Sequence, residues 1–277
     1  LPNSVMYFNG YYQYMIDVQG TYDIQFCQVR ACNNIGSTIT VDGTNIDLGY
    51  NTNWVFDTAK ANTWVGVTSN DWNTSTNWSE NTVPTSDDVA IITNGTNNAP
   101  NIASNISVKG IVLSTGFTGS VTQSGTASIN VGRFGLHVAA GTLTGSTGNL
   151  TIAGPLFQTG GTINDGAGTI AVSGFIERTA GTLTLDSGEF KLNGSNFEQN
   201  VNFGQVQTFK TLTLANTNNT LNILDYGITA TDLAVSAGAK AQFAVGSLTT
   251  VTNFTVNGTG ANYATLGSIN PGESWSL

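Results

Sequence analysis

The chain has 277 residues, of which 39% are hydrophobic and 9% are charged, and its 8 basic and 17 acidic side chains give a net charge of −9. This charge repels phosphate backbones and anionic lipid, and no apolar run approaches the roughly 18 residues that cross a bilayer, so we expect no nucleic-acid partner and no membrane insertion. The 41 Thr, 32 Asn and 33 Gly residues make up more than a third of the chain, a composition that favours strands and turns over helices.

Residues 1–56 show the alternation of apolar and polar side chains that is typical of strands, most clearly over residues 12–18 and 22–29. We interpret residues 1–56 as a β-rich segment, the tail of a preceding solenoid unit. Because the chain begins at Leu1 rather than Met, we expect a processed or excised piece of a longer, exported protein.

Cys27 and Cys32 are the only cysteines, with four residues between them. In an exported protein such a pair closes a small disulfide loop, and we predict a disulfide between them. Two free buried thiols are the alternative. A metal site is disfavoured because no histidine accompanies the pair.

Residues 57–62 have the polar composition of a junction, and a new unit is predicted over 63–277. This unit opens with Trp64, Trp72 and Trp78. We expect the three indoles to pack as a cap over the first coil, where they bury a large apolar area. The alternative is a carbohydrate-binding module, because flat aromatic faces stack on pyranose rings.

Three consecutive 20-residue segments, 141–160, 161–180 and 181–200, superimpose without a gap. Each has glycine at its first, eighth and fourteenth places and apolar residues at its third, tenth and twelfth. The apolar columns are Leu143, Ile163 and Leu183; Leu150, Ile170 and Phe190; and Ile152, Val172 and Leu192. In a parallel β-solenoid each coil buries its inward side chains only against neighbouring coils, which requires such a period. We therefore predict an all-β fold, a right-handed parallel β-helix with coils of about 20 residues.

The same template extends on both sides of the three segments. Before them, Val121, Ile129 and Val131 align with the apolar columns. After residue 200 the spacing loosens, but the inward-outward-inward pattern persists at residues 212–214, 221–223, 233–235, 243–245 and 254–256. We expect roughly ten to thirteen coils, which makes a rod on the order of 50 to 60 Å long.

Threonines flank the inward residue at the third place of each segment, so their side chains share one outer face in two parallel rows. Regular hydroxyl arrays order water, and an ice-binding solenoid is a further alternative. Solvated strand faces are the favoured interpretation. The residues are Thr142, Thr144, Thr162, Thr182 and Thr184, with Asn164 interrupting one row.

Groups for catalysis are sparse along the coils. His137 is the only histidine, and no Ser or Cys nucleophile system is evident around it. Asp165 and Asp186 would lie about 5 Å apart on neighbouring coils, the separation of a retaining carboxylate pair. We regard this as chance placement, and a polysaccharide-cleaving enzyme as the least favoured function. We predict no enzyme, no cofactor and no metal.

One string of motifs resembles the recurring unit opening of multi-repeat bacterial surface adhesins with parallel β-helix, filamentous-haemagglutinin-like repeats. It comprises Trp64-Val-Gly, Asp71-Trp72, Asn77-Trp78, Pro84, Asp88-Val89 and Ile91-Ile92, followed by Asn98-Ala-Pro-Asn-Ile102. Residues 53–56, Asn-Trp-Val-Phe, are similar to the motif that ends the preceding repeat unit in such arrays.

This resemblance implies a secreted, extracellular or cell-surface protein in adhesion, filaments or biofilm. It also implies surface glycans or other copies of the chain as partners, joined end to end or through strand addition. It brings no catalytic residues.

Overall fold

The computed structural model describes residues 14–22, 24, 28–29, 31–41, 46–47, 51–56, 60–93, 98–194, 198–224 and 227–277. The strands stack in parallel as a β-solenoid of about 11 turns, with stacked residues roughly 21 apart in sequence, which confirms the predicted all-β parallel solenoid and its coil number. The chain divides into two compact units, Leu1–Lys60 and Ala61–Leu277. This boundary lies within residues 57–62.

The first unit contains short strands that pair in parallel. Strands β1 (Tyr14–Ile16) and β3 (Cys32–Asn34), β2 (Gln28–Val29) and β5 (Ile46–Asp47), and β4 (Ile39–Val41) and β6 (Trp54–Phe56) form the three pairs. Asparagine amides brace the turns between them. Asn51 Nδ2 donates to the carbonyl of Val29 (2.9 Å) while its Oδ1 accepts from the Cys32 amide (3.0 Å), and Asn53 Nδ2 donates to the Gly36 carbonyl (2.7 Å).

Within its described residues, the second unit contains the remaining strands, the first of which begins at the boundary residue Lys60, and one short 3-10 helix, Ser75–Asn77. The strands are β7 (Lys60–Trp64), β8 (Asp88–Ile92), β9 (Asn101–Ile102), β10 (Ile106–Leu113), β11 (Ser120–Gln123), β12 (Ile129–Val138), β13 (Thr142–Thr144), β14 (Leu150–Ile152), β15 (Leu156–Asn164), β16 (Thr169–Val172), β17 (Ile176–Leu192), β18 (Gln199–Asn202), β19 (Gln207–Leu214), β20 (Thr220–Ile223), β21 (Gly227–Val235), β22 (Lys240–Phe243), β23 (Leu248–Val256) and β24 (Thr265–Ser268). Among the described residues, no helix has the length and apolar character needed to cross a membrane.

Three parallel ladders build the second unit. The longer strands bend at corners and serve two of them, and β17 serves all three. The first ladder stacks Ala90, Ile111, Leu136, Leu156, Ile176, Val201, Ile223, Phe243 and Ser268. The second stacks Val121, Leu143, Ile163 and Leu183, and then Leu185, Phe209, Ala230 and Val251. The third stacks Ile106, Ile129, Leu150, Ile170, Phe190, Leu212, Leu233 and Phe254. At about 4.8 Å per rung, the nine rungs of the first ladder span about 40 Å.

The apolar columns predicted from the repeat are confirmed. Leu143 pairs with Ile163 and Ile163 with Leu183, and all three are buried. The alignments of Val121, Ile129 and Val131 are confirmed as well. One alignment is wrong: β22 ends at Phe243, so Val245 lies in the following turn and is exposed.

Repeated glycines are explained by the closeness of successive turns. A Cβ atom added to Gly168 would meet the carbonyl group of Gly148, and one added to Gly174 would meet the carbonyl group of Gly154. These are the eighth and fourteenth places of the repeat. Glycine recurs there because only a residue without a side chain lets one turn lie against the backbone of the next.

Glutamines at the corners break the apolar pattern of the interior. Gln123, Gln158, Gln199 and Gln207 are all buried. The amide of Gln199 donates to the carbonyls of Val172 (2.8 Å) and Gly174 (2.7 Å). Each of these side-chain amides donates a hydrogen bond to a backbone carbonyl at a corner, as buried polar groups require. Apolar residues at these four places would remove these hydrogen bonds.

Candidate functional surfaces

The tryptophan cluster covers the first coil of the second unit. Asp71 forms a parallel bridge to Asn101, which places the segment between Trp64 and Trp78 one rung before β9. The rings of Trp72 and Trp78 meet edge to face, with centroids 4.7 Å apart. Trp78 Nε1 donates a hydrogen bond of 2.8 Å to the Trp72 carbonyl. Trp64 Nε1 donates to the carbonyl of Asn98 at 2.7 Å.

The burial of Trp64, Trp72 and Trp78 rules out the hypothesis that they stack on sugar rings. Each is at most 1% exposed and belongs to the main apolar cluster of the unit. A pyranose ring needs an open aromatic face, and these indoles present none. The three residues pack as a cap, so any glycan contact must be made elsewhere.

The threonines predicted to form rows do come together. Thr142 stacks on Thr162 and Thr162 on Thr182, while Asn164 lies between Thr144 and Thr184. These residues point outward from the second ladder. The structure thus joins, in register, side chains that lie one full repeat apart in sequence.

The rows extend further than the sequence indicates. Ser120 and Thr122 precede them, with the hydroxyl oxygens of Ser120 and Thr144 3.1 Å apart. Because Leu185 pairs with Phe209, one row passes from Thr184 to Thr208. It then continues because Thr208 pairs with Thr229, and Thr229 pairs with Thr250. We call this surface the Thr face: Ser120, Thr122, Thr142, Thr144, Thr162, Asn164, Thr182, Thr184, Thr208, Thr229 and Thr250.

The side chains of the Thr face are themselves uncharged. The exposed Asp186 and Lys210 follow Thr184 and Thr208 by two positions on the same outer side, and the outer side of the third ladder holds Glu189, Lys191 and Asp232. An uncharged face of hydroxyl and amide groups can donate and accept hydrogen bonds over a long distance along the unit. This is the surface most suited to repeated weak contacts with a neutral, hydroxylated partner.

A row of aromatic side chains on the outer side of the first ladder was not predicted. The ring of His137 stacks on the ring of Phe134, with centroids 5.1 Å apart, and meets the ring of Phe157 edge to face, with centroids 4.9 Å apart. Phe157 in turn meets Phe175 edge to face, also with centroids 4.9 Å apart. All four rings are half-buried. Their mutual packing braces three successive coils from outside the core.

The pKa of His137 is expected to lie below its ordinary value of about 6.5. Burial disfavours the imidazolium and lowers the pKa, while the hydrogen bond that Nε2 donates to the Phe134 carbonyl (3.0 Å) raises it in part. The folded state thus binds the proton less well than the unfolded state, so this contribution to stability is present above pH about 6.5 and is lost as pH falls below it.

A proton NMR titration tests this directly, because the chain has one histidine and therefore one imidazole Hε1 signal. We expect a midpoint below 6.5, and a urea-unfolding free energy whose fall between pH 7 and 5.5 is smaller in His137→Gln. A midpoint at or above 6.5 would contradict the burial of the ring.

Asp165 and Asp186, the carboxylates considered for catalysis, are engaged in turns. Asp165 Oδ2 accepts hydrogen bonds from the amides of Ser187 (3.1 Å) and Gly188 (2.9 Å) on the next coil, and Asp186 Oδ1 accepts from the Ser187 hydroxyl (3.0 Å). Asp165 therefore joins its turn to the next coil, whereas the hydrogen bond of Asp186 lies within its own turn. Among the described residues, no group of three or more His, Cys, Asp or Glu side chains is arranged to hold a metal ion.

The predicted disulfide lies partly outside the described residues, because Cys27 is not among them. Cys32 is buried, and burial raises the pKa of its thiol. The pairing of Cys27 with Cys32 stays a prediction.

No family model, curated protein or solved structure matches this chain. The fold and its surfaces define a parallel β-solenoid whose second unit is capped by tryptophans and carries a long uncharged face.

Proposed function

We propose that this chain is a non-catalytic structural and adhesive segment of a larger bacterial surface or filament protein, acting outside the cell. The observation that carries the proposal is the Thr face, whose uncharged side chains repeat in register from rung to rung. The motif resemblance and the low content of charged residues support the same role.

The mechanism is multivalent contact. Each rung offers a hydroxyl or amide group about 4.8 Å from the next, so a long partner meets the same group many times. Single hydrogen bonds exposed to water contribute little, but linked contacts add to useful avidity. The partner that fits is an uncharged surface polysaccharide, since the net charge of −9 repels acidic polymers.

The test is binding of the full chain, immobilised at many copies per bead, to an array of neutral and acidic polysaccharides. We expect binding to neutral polymers that falls at least about tenfold in the double variant Thr162→Lys/Thr182→Lys, which places two charges on the Thr face. The matched control is Ser107→Lys/Asn130→Lys, two exposed neighbours on the third ladder. Loss of binding in both variants, no binding by the parent chain, or release of oligosaccharides from the polymer would contradict the proposal.

Ice binding is a second candidate, favoured by one observation: the row continues past the three segments through Thr208, Thr229 and Thr250. Thermal hysteresis separates the two functions. Under the adhesive account, the chain shows no more hysteresis than an unrelated protein at equal concentration. Strong hysteresis that disappears in Thr162→Lys/Thr182→Lys would instead assign the face to ice.

A further inference from the structure

The outer aromatic row of the first ladder, Phe134, His137, Phe157 and Phe175, lies against the coils with one side and reaches solvent with the other. The side chain of Phe134 lies across Gly110 of β10, because a Cβ atom added to Gly110 would come within 3.0 Å of Phe134 Cγ. Since Phe134 is only half-buried, its other side is open to solvent. The His137 ring continues this surface at an angle of 22°. The two rings therefore form a shallow aromatic platform.

Hydrogen-bonding groups lie beside this platform. Because His137 Nε2 donates to the Phe134 carbonyl (3.0 Å), Nδ1 of the neutral ring is an acceptor. His137 pairs with Phe157, and Phe157 pairs with Glu177 on the next rung. Glu177 Oε1 accepts a hydrogen bond from Asn202 Nδ2 (3.1 Å) one rung further. Aromatic rings and polar groups thus follow one another along one line of about 14 Å.

The size of this surface favours a small ligand over a second protein chain. Ile91 and Val112 precede His137 in register and are half-buried like the four rings. Together the six side chains expose on the order of 300 Å². A specific protein interface buries about 800 Å² on each partner, so a protein finds too little area here. The surface is also open, so its ligand keeps one side in water. A ligand with an apolar side and a rim of hydroxyl groups meets both conditions.

We propose that the outer aromatic row binds a neutral pyranose oligosaccharide. The C–H groups of one sugar ring stack on Phe134 and His137, and sugar hydroxyls donate to His137 Nδ1 and to the Glu177 carboxylate. The Glu177 charge and the net charge of −9 disfavour acidic sugars. Because the platform is shallow and wet, a single contact is weak. The assignment rests on the proposed function for the class of partner, but it uses a different face of the unit from the Thr face.

Proton NMR of the full chain tests the proposal, since His137 is the only histidine and its Hε1 signal reports on the platform. The probes are linear β-1,4-linked hexasaccharides of glucose, mannose and xylose, each added to about 10 mM. We expect a saturable shift with at least one probe, with a midpoint in the millimolar range. Phe134→Leu keeps an apolar side chain over Gly110 but removes the ring, and is expected to weaken binding about fivefold or more. Phe134→Tyr keeps the ring and is expected to bind like the parent chain.

Two controls separate this surface from the others. Tyr263→Leu removes an exposed aromatic ring outside the row and is expected to bind like the parent chain. Thr162→Lys/Thr182→Lys is expected to keep hexasaccharide binding, so failure of the Thr face and failure of the aromatic row are told apart. The assignment is overturned by the absence of a saturable shift with all three probes, by unchanged binding in Phe134→Leu, or by an equal loss in Phe134→Tyr or Tyr263→Leu.

Discussion

Phe190→Ala is expected to lower the free energy of unfolding by about 4 kcal/mol. Phe190 is 1% exposed on the third ladder and packs against Phe209 (5.6 Å between centroids) and Phe203 (6.1 Å). Removing its ring leaves a cavity that three ladders cannot close, because each rung is held at the spacing of its strands. Urea unfolding followed by circular dichroism measures the loss.

Phe254→Ala is the matched control, since Phe254 occupies the same ladder but is largely exposed. This substitution is expected to lower the free energy of unfolding by less than about 1 kcal/mol. Similar losses at the two positions would show that the ladder does not form the core of the unit.

Gly168→Ala is expected to destabilise the second unit by about 3 kcal/mol. The added methyl group would fall on the carbonyl group of Gly148, which is backbone and has no rotamer by which to move away. The turn must shift as a whole, and the shift passes to the strands on either side. The unfolding midpoint in urea is expected to fall accordingly.

Gly267→Ala controls for the loss of glycine itself. A Cβ atom at Gly267 meets no other atom within 4 Å, and its backbone does not lie in the left-handed region. We expect a change of less than about 0.5 kcal/mol there. If Gly168→Ala is as mild as Gly267→Ala, the close stacking of turns inferred for the repeat is contradicted.

The sequence allowed the core of the solenoid to be predicted where its period is constant. Over residues 141–200 the coils are equal in length, so Leu143, Ile163 and Leu183 align by counting alone. Further along, Leu185 pairs with Phe209, which lies beyond the position that a constant period would select. Corners absorb such insertions without disturbing the ladders, and this is why the continuation of the Thr face through Thr208 could not be counted from the repeat.

The surfaces were harder to predict, because a residue type does not reveal which side of the sheet it occupies. Trp72 was compatible with a cap and with a sugar platform, and burial decides between them. Phe134 joins the outer aromatic row because the pairing of β10 with β12 shifts register beside it. Gln199 occupies an inward position that the apolar alternation assigns to a hydrophobic residue, and the hydrogen bonds that its side-chain amide donates and accepts at the corner explain its presence.

The most direct test of the coil register is disulfide formation between stacked rungs. Thr162 and Thr182 pair in register, and adjacent rungs lie about 4.8 Å apart, within the Cα separation of a disulfide. Oxidation of Thr162→Cys/Thr182→Cys is expected to give this bridge, identified by mass spectrometry of its peptides. The offset pair Thr162→Cys/Thr184→Cys, about 8 Å apart, is expected to stay reduced. Bridging of the offset pair, or failure of the in-register pair, would contradict the solenoid register on which the Thr face and the proposed function depend.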